Sequence, residues 1–364
     1  MAKFIGNDLI ANGPDPLTGE TPSETERFRQ VIENAVLYEQ LGFDGFSVGE
    51  RHHPPFLSSS PPVVLSHIAA RTSKIRLFTG VTLLSALDPV RVAEDYATLD
   101  HLSGGRIELV IGKGNGPEQT ELFGVPREEA WTTLDENYRL LRRLWTEEKV
   151  SWEPPAGKPT IRRVPLVEVT TRPRPLQKPP RVWHGSATNE GSVELAAEFG
   201  DPVFSANVSN PVDRYAELIR HYRKRWEDLG RNPADAVVGA GTAGFYAARN
   251  SQDALETFRP LYEAMAAVLS RSNFSLPGTS TIWDSYDTFL ERSSALVGSP
   301  QQIIDKVHRY HDLLGQTVMT VGGHPRGLTR AEFTGSLELF QSDIAPVLRR
   351  SIPDPPWPEP AATG

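Results

Sequence analysis

Short apolar runs take turns with stretches of helical period along almost the whole chain. The runs Lys3 to Ile10, Gly45 to Gly49, Arg76 to Leu83, Arg106 to Ile111, Arg181 to Gly185, Pro202 to Val208, Val237 to Tyr246 and Thr317 to Val321 read as eight strands. The stretches between them carry helix start and stop signals. Ser23 and Glu26 stand ahead of Phe28, Val31, Ile32, Ala35, Val36 and Leu41, and Gly42 closes that helix. Asp88-Pro89 opens another, which Ser103-Gly104-Gly105 ends; Asn189 to Phe199 stops at Gly200, and Ser299 to Leu314 stops at Gly315.

Strand and helix alternating in this way predict crossover units and a parallel sheet. Eight such units in about 350 residues predict a closed (β/α)8 barrel, a TIM barrel. An open doubly wound sheet is the competitor. It calls for a glycine fingerprint after the first strand, and Gly6-Asn7-Asp8 followed by Ala11-Asn12-Gly13-Pro14 does not supply one. The barrel is expected as a single domain over residues 1–352. Pro-rich, basic Glu147 to Pro180 and the segment Asn250 to Gly298 read as insertions at the carboxyl-end mouth, and residues 353–364 as a disordered Pro-rich tail.

Composition then removes whole classes of function. The 364 residues hold 38 Lys and Arg against 46 Asp and Glu, a formal charge of −8, so no basic field awaits nucleic acid or an anionic membrane. There is no Cys, which removes disulfides, thiolate metal sites and thiol nucleophiles. The opening MAKFIGNDLI lacks the features of a secretory signal, and no apolar run approaches the ~20 residues of a membrane span, so a cytoplasmic protein is expected.

In a barrel the chemistry lies just past the carboxyl ends of the strands. After strand two stand Glu50, Arg51, His52 and His53, an acid, a guanidinium and two imidazoles followed by prolines, which suits acid/base work near neutral pH. A zinc site fits them less well, because adjacent histidines point to opposite sides of an extended chain and no second ligand cluster accompanies them. On strand three, Gly80 between Thr79 and Val81 lets the backbone approach a planar ligand. After strand four, Gly112-Lys113-Gly114-Asn115-Gly116 offers a cation and backbone amides. After strand five, Ser186, Thr188, Asn189 and Ser192 lie at a helix start. Strands four and five are neighbours in a barrel, so these two loops can face one phosphate. Asn7, Phe204, Ser205 and Asn207 would complete a mixed wall.

Gly49-Glu50-Arg51-His52-His53 with Phe56, the run from Asp88-Pro89 to Leu99-Asp100-His101-Leu102-Ser103-Gly104-Gly105-Arg106, and Gly112-Lys113-Gly114 with Glu121-Leu122-Phe123-Gly124 resemble the luciferase-like flavin-dependent monooxygenases. The similarity continues through Pro179 to Trp183, Ala196 to Gly200 and Val297 to Pro300. The resemblance implies a (β/α)8 barrel that takes reduced FMN from a separate flavin reductase, activates oxygen at the flavin and oxygenates a small organic substrate, commonly as a homodimer. It implies that Lys113 stands where the family holds a phosphate-binding Arg, that Asn189 and Ser192 hold the same phosphate, and that Thr79 to Val81 matches a strand whose non-prolyl cis peptide supports the flavin ring. Where the family has Glu-His-His, this chain has Glu50-Arg51-His52. That leaves His52 as the leading acid/base group, His53 as its rival, Glu50 as the orienting carboxylate and Arg51 as electrostatic support. A deazaflavin-dependent oxidoreductase of the same superfamily and a flavin-binding barrel without turnover are the alternatives.

Overall fold

The computed structural model describes residues 1–114, 116–208, 210–271, 281–323 and 326–353. Eight parallel strands close on themselves: β1 (Lys3–Asp8), β2 (Gly45–Val48), β3 (Arg76–Thr79), β4 (Ile107–Gly112), β5 (Arg181–Ser186), β6 (Val203–Ser205), β7 (Val238–Ala240) and β8 (Val318–Thr320). Each pairs with the next in chain order, and β8 returns to β1 through Lys3↔Val318. This is the (β/α)8 barrel predicted from the alternation.

The barrel interior is a layer of Ile5, Phe78, Val110, Trp183 and Val318 with Phe204 packed against it, so it is a filled core and not a channel. Below this layer the Trp183 indole donates to Glu108, whose other oxygen accepts from Arg76 at 2.7 Å. Two partners thus satisfy a fully buried carboxylate. The opposite faces of the strands meet the helices, where Phe4 packs edge-on against Phe340 at 4.9 Å.

The sequence punctuation acts where it was read. Ser23 caps Glu24–Gln40 by accepting from the Glu26 amide, Asp88 caps Pro89–Ser103 through the Val90 amide, and Asn189 caps Glu190–Phe199 through the Ser192 amide. Three of the departures of the strands from the apolar runs have a visible cause. The first strand stops at Asp8, because Ile10 takes a φ of 52° and its amide turns onto the Asp8 carboxylate. The third run is interrupted by a cis peptide at Gly80–Val81, beyond which Thr82–Leu83 still pairs with the end of β4. The seventh run divides, since Val238–Ala240 stays in the barrel while Phe245–Ala247 leaves it to pair with Leu296–Gly298.

The segment between the helix Ala130–Thr146 and β5 is tied to the amino ends of the barrel. There Arg174 donates to the Leu144 carbonyl and Gln177 binds Asp100 through both its amides. Its antiparallel ribbon, Val150–Trp152 with Leu166–Val169, carries a turn in which Arg162 reaches Asp88, at the carboxyl-end rim, at 2.9 Å. The second insertion follows β7 and contains the helices Ser251–Arg271 and Tyr286–Arg292. Of the expected tail, residues 354–364 lie outside the described residues. Among the described residues, no helix is long and apolar enough to cross a membrane.

Candidate active site

The loop after β2 divides its side chains between two sides, as alternation along an extended chain requires. On one side Glu50 is buried and its carboxylate is shared: Oε1 lies 2.9 Å from His52 Nε2, and Oε2 accepts from the Leu83 amide at 2.9 Å. Leu83 belongs to the piece of strand just past the cis Gly80–Val81 bond. One carboxylate therefore ties the His52 ring to the short Thr82–Leu83 strand that pairs with the end of β4. On the other side the Arg51 guanidinium stands 5.3 Å from the Phe56 ring centre, and the His53 ring meets the same Phe56 edge-on at 5.3 Å. His53 Nε2 lies 3.5 Å from Glu118, and its Nδ1 from the Pro54 carbonyl is 2.9 Å.

Glycine makes the floor of the mouth. A Cβ on Gly112 would come within 2.8 Å of Val81, and one on Gly185 within 2.9 Å, so both positions must lack a side chain for Val81 to sit between β4 and β5. At Gly80 a Cβ would stand 2.3 Å from the Ser47 hydroxyl and 3.2 Å from the Asn7 side chain. Thr79 takes a different part from the one read in the sequence. It is fully buried, and its hydroxyl both donates to the Val110 carbonyl and accepts from the Val110 amide, at 2.9 Å each. It stitches β3 to β4 below the Gly80–Val81 turn.

Lys113 follows β4 directly. Burial pushes its ammonium below the usual lysine value, and Arg127 presses in the same direction by like charge. Among the described residues no carboxylate forms an ion pair with Lys113 or Arg127. Two cations that repel each other in this way make a positive potential that favours an anion nearby. Asn115 lies outside the described residues. Across the β4–β5 ladder, Ser186 is buried and donates to the Asn189 carbonyl at 3.1 Å, Asn189 spends its side-chain oxygen on the Ser192 amide, and Thr188 is exposed. Ser192 is buried one turn into the helix, and Trp131 from the Ala130–Thr146 helix packs on Gly191 beside it. That contact brings the start of the helix Ala130–Thr146 against the start of the helix Glu190–Phe199. Asn207 is buried with its side-chain oxygen unpartnered, as is the Ser205 hydroxyl.

Arg127 escaped the sequence reading. Its signal is faint, a basic residue after Gly124-Val125-Pro126, and only the fold returns it to Lys113. The loop between them also carries Phe123, whose ring meets His52 edge-on at 4.7 Å. The loop thus has Lys113 and Arg127 at its two ends and, between them, an aromatic ring against His52. Beyond it opens a cavity of about 570 Å³ whose lining includes Arg51, His52, His53, Phe56, Leu57 and Leu122.

Lys113, Arg127 and the capped helix start are groups of the kind a phosphate needs, so the residues after β4 and β5 are compatible with a phosphate-bearing flavin-type cofactor.

The sequence model of luciferase-like monooxygenases matches residues 3–317. The alkanal monooxygenase alpha chain of Photorhabdus laumondii subsp. laumondii is 24% identical, over 95% of this chain and 98% of its own. Among solved structures, the monooxygenase RslO1 from Streptomyces bottropensis shares the fold with a TM-score of 0.80 at 24% identity, covering 95% of this chain and 99% of its own. The oxygenating constituent of 3,6-diketocamphane monooxygenase from Pseudomonas putida, in complex with FMN, shares it with a TM-score of 0.76 at 19% identity, covering 95% and 99%.

Proposed function

The chain belongs to the luciferase-like monooxygenase family, and on that premise we propose that it is a monooxygenase using reduced FMN and molecular oxygen to oxygenate a small organic substrate. When bound, reduced FMN supplies the electrons that activate oxygen for transfer. The protein's own residues do the rest. Lys113 and Arg127, with the amides at the start of Glu190–Phe199, hold the phosphate. The Gly80–Val81 turn and the floor at Gly112 and Gly185 receive the ring. Glu50 fixes the His52 ring, and His52 delivers or removes the proton that oxygen transfer requires. Phe123 and Leu122 cover the mouth and keep water from it. A separate flavin reductase supplies reduced FMN, and the chain works as a homodimer.

The observation that carries this reading is the shared Glu50 carboxylate, which binds His52 and the Leu83 amide at once and so supports a proton-carrying ring at the rim where a flavin would lie. The test is a titration of the protein with FMN, reduced FMN and the deazaflavin coenzyme, followed by oxygen uptake. Tight binding of reduced FMN with oxygen consumption is expected. Hydride transfer through the deazaflavin without oxygen uptake would move the chain to the deazaflavin oxidoreductases of the superfamily, and flavin binding with neither reaction would make it a barrel without turnover.

A further inference from the structure

A buried hydroxyl pair adjoins the contact between Glu50 and His52. Tyr96 lies on the helix Pro89–Ser103 with its ring buried, and its hydroxyl stands 2.7 Å from the hydroxyl of Thr82, which is fully buried as well. Each hydroxyl satisfies the other in a place that water does not reach.

Thr82 and Leu83 pair with Ile111 and Gly112 of β4, which fixes one edge of this short strand. The Leu83 amide donates to Glu50 Oε2 at 2.9 Å, and Glu50 Oε1 stands 2.9 Å from His52 Nε2. Further along, the Asn137 side-chain amide holds the Leu84 and Leu87 carbonyls at 2.8 Å and 3.2 Å. Tyr96 is the side-chain tie at the near end, on the residue next to the one that meets Glu50. Burial first, and the Glu50 charge second, hold the Tyr96 hydroxyl well above the usual tyrosine value, so it keeps its proton beside that carboxylate.

We propose that Tyr96 is a positioning residue for the acid/base pair: its hydroxyl sets the place of Thr82, so that the Leu83 amide meets Glu50 and Glu50 in turn aims the His52 ring. The inference rests on the proton-handling role given to His52 above. A carboxylate only accepts, so the held ring, when neutral, carries its proton on Nε2. A ring released from Glu50 would exchange between its two tautomers.

The test reads the histidine rings of the flavin-free protein by nitrogen NMR, at a pH where they are neutral, in wild type, Tyr96→Phe, Thr82→Val and the double variant. Wild type is expected to show His52 as one tautomer, protonated on Nε2. Each single variant should mix the two His52 tautomers and, with reduced FMN bound, lower single-turnover oxygen transfer by about ten- to a hundredfold while FMN affinity stays nearly unchanged. The double variant puts apolar groups of like shape in place of both hydroxyls, so it should recover most of the stability that either single change loses. Its His52 should still mix tautomers, whereas a hydroxyl pair that only supports the core would return the single tautomer together with the stability. If the single variants do not fold, the double variant decides the matter. A single His52 tautomer in any folded variant, or a mixture in wild type, would overturn the assignment. Oxygen uptake is measured on the same preparations, so its absence in wild type would strike the monooxygenase reading while the tautomer still judges Tyr96.

Discussion

Glu50 Oε1 lies 2.9 Å from His52 Nε2, and both side chains are almost entirely out of water. The carboxylate's second oxygen is taken by the Leu83 amide, so the acid cannot turn away from the ring without abandoning a backbone donor. Replacing His52 by Ala should lower single-turnover oxygen transfer, with reduced FMN already bound, by about 10²- to 10⁴-fold and leave flavin affinity nearly unchanged. His53 faces Phe56 and Glu118 instead, so His53→Ala should stay within a few-fold of wild type. The reverse ranking would transfer the acid/base role to His53.

Lys113 and Arg127 press on each other by like charge, which an FMN phosphate would relieve. Lys113→Ala and Arg127→Ala should each weaken FMN binding by roughly ten- to a hundredfold, through loss of a charge-assisted contact. Riboflavin, lacking the phosphate, should lose far less. Fluorescence titration of both flavins against both variants reads the difference, and equal losses for FMN and riboflavin would take the two cations out of the phosphate site.

The sequence exposed most of the barrel and about half of the site, and the division has a physical cause. Strands and caps are local: Asp88 before Pro89, or Asn189 ahead of Ser192, acts on amides two or three residues away, so the chain displays the interaction in order. The Glu50 and His52 pair is nearly as local, and alternation alone placed both on one side. Arg127 and Phe123 act across the fold, on Lys113 and His52 respectively, and nothing in their neighbourhood marks them. Thr79 shows the opposite failure. Its place beside Gly80 suggested a cofactor contact, whereas its hydroxyl serves the β4 backbone at Val110.

The helices Pro61–Arg71 and Pro89–Ser103 lie side by side on the outside of the barrel and expose Val63 and Leu102 at 66% and 63%. The homodimer contact proposed above would use their outer surface, and a stable one would bury well over ~1,000 Å². Light scattering should give a particle of twice the 40.2 kDa of one chain, and Val63→Glu with Leu102→Glu should return it to one. A monomer at micromolar concentration in the unaltered protein would sink the proposal.

Lys306 links stability to pH. It lies buried on the helix Pro300–Leu314, and its ammonium donates to the Leu290 carbonyl at 2.6 Å and the Ala295 carbonyl at 2.7 Å, pinning the end of the second insertion to the barrel. Burial first, and the Arg309 charge second, push its pKa down to about 7 from 10.5. Between those two values the unfolded chain binds a proton that the folded chain does not, so stability rises as pH increases from about 7 toward 10.5. Below about 7 both states are protonated, and the folded state carries the full cost of a buried charge. At roughly 1.4 kcal/mol per unit the whole window is worth a few kcal/mol. Lys306→Met removes the proton but also the two carbonyl contacts, so its absolute stability is less informative than its slope. Denaturant unfolding at pH 7, 8 and 9 should show wild type gaining stability relative to Lys306→Met at each step. Parallel curves for the two proteins would mean that Lys306 keeps its charge throughout, held by the two carbonyls.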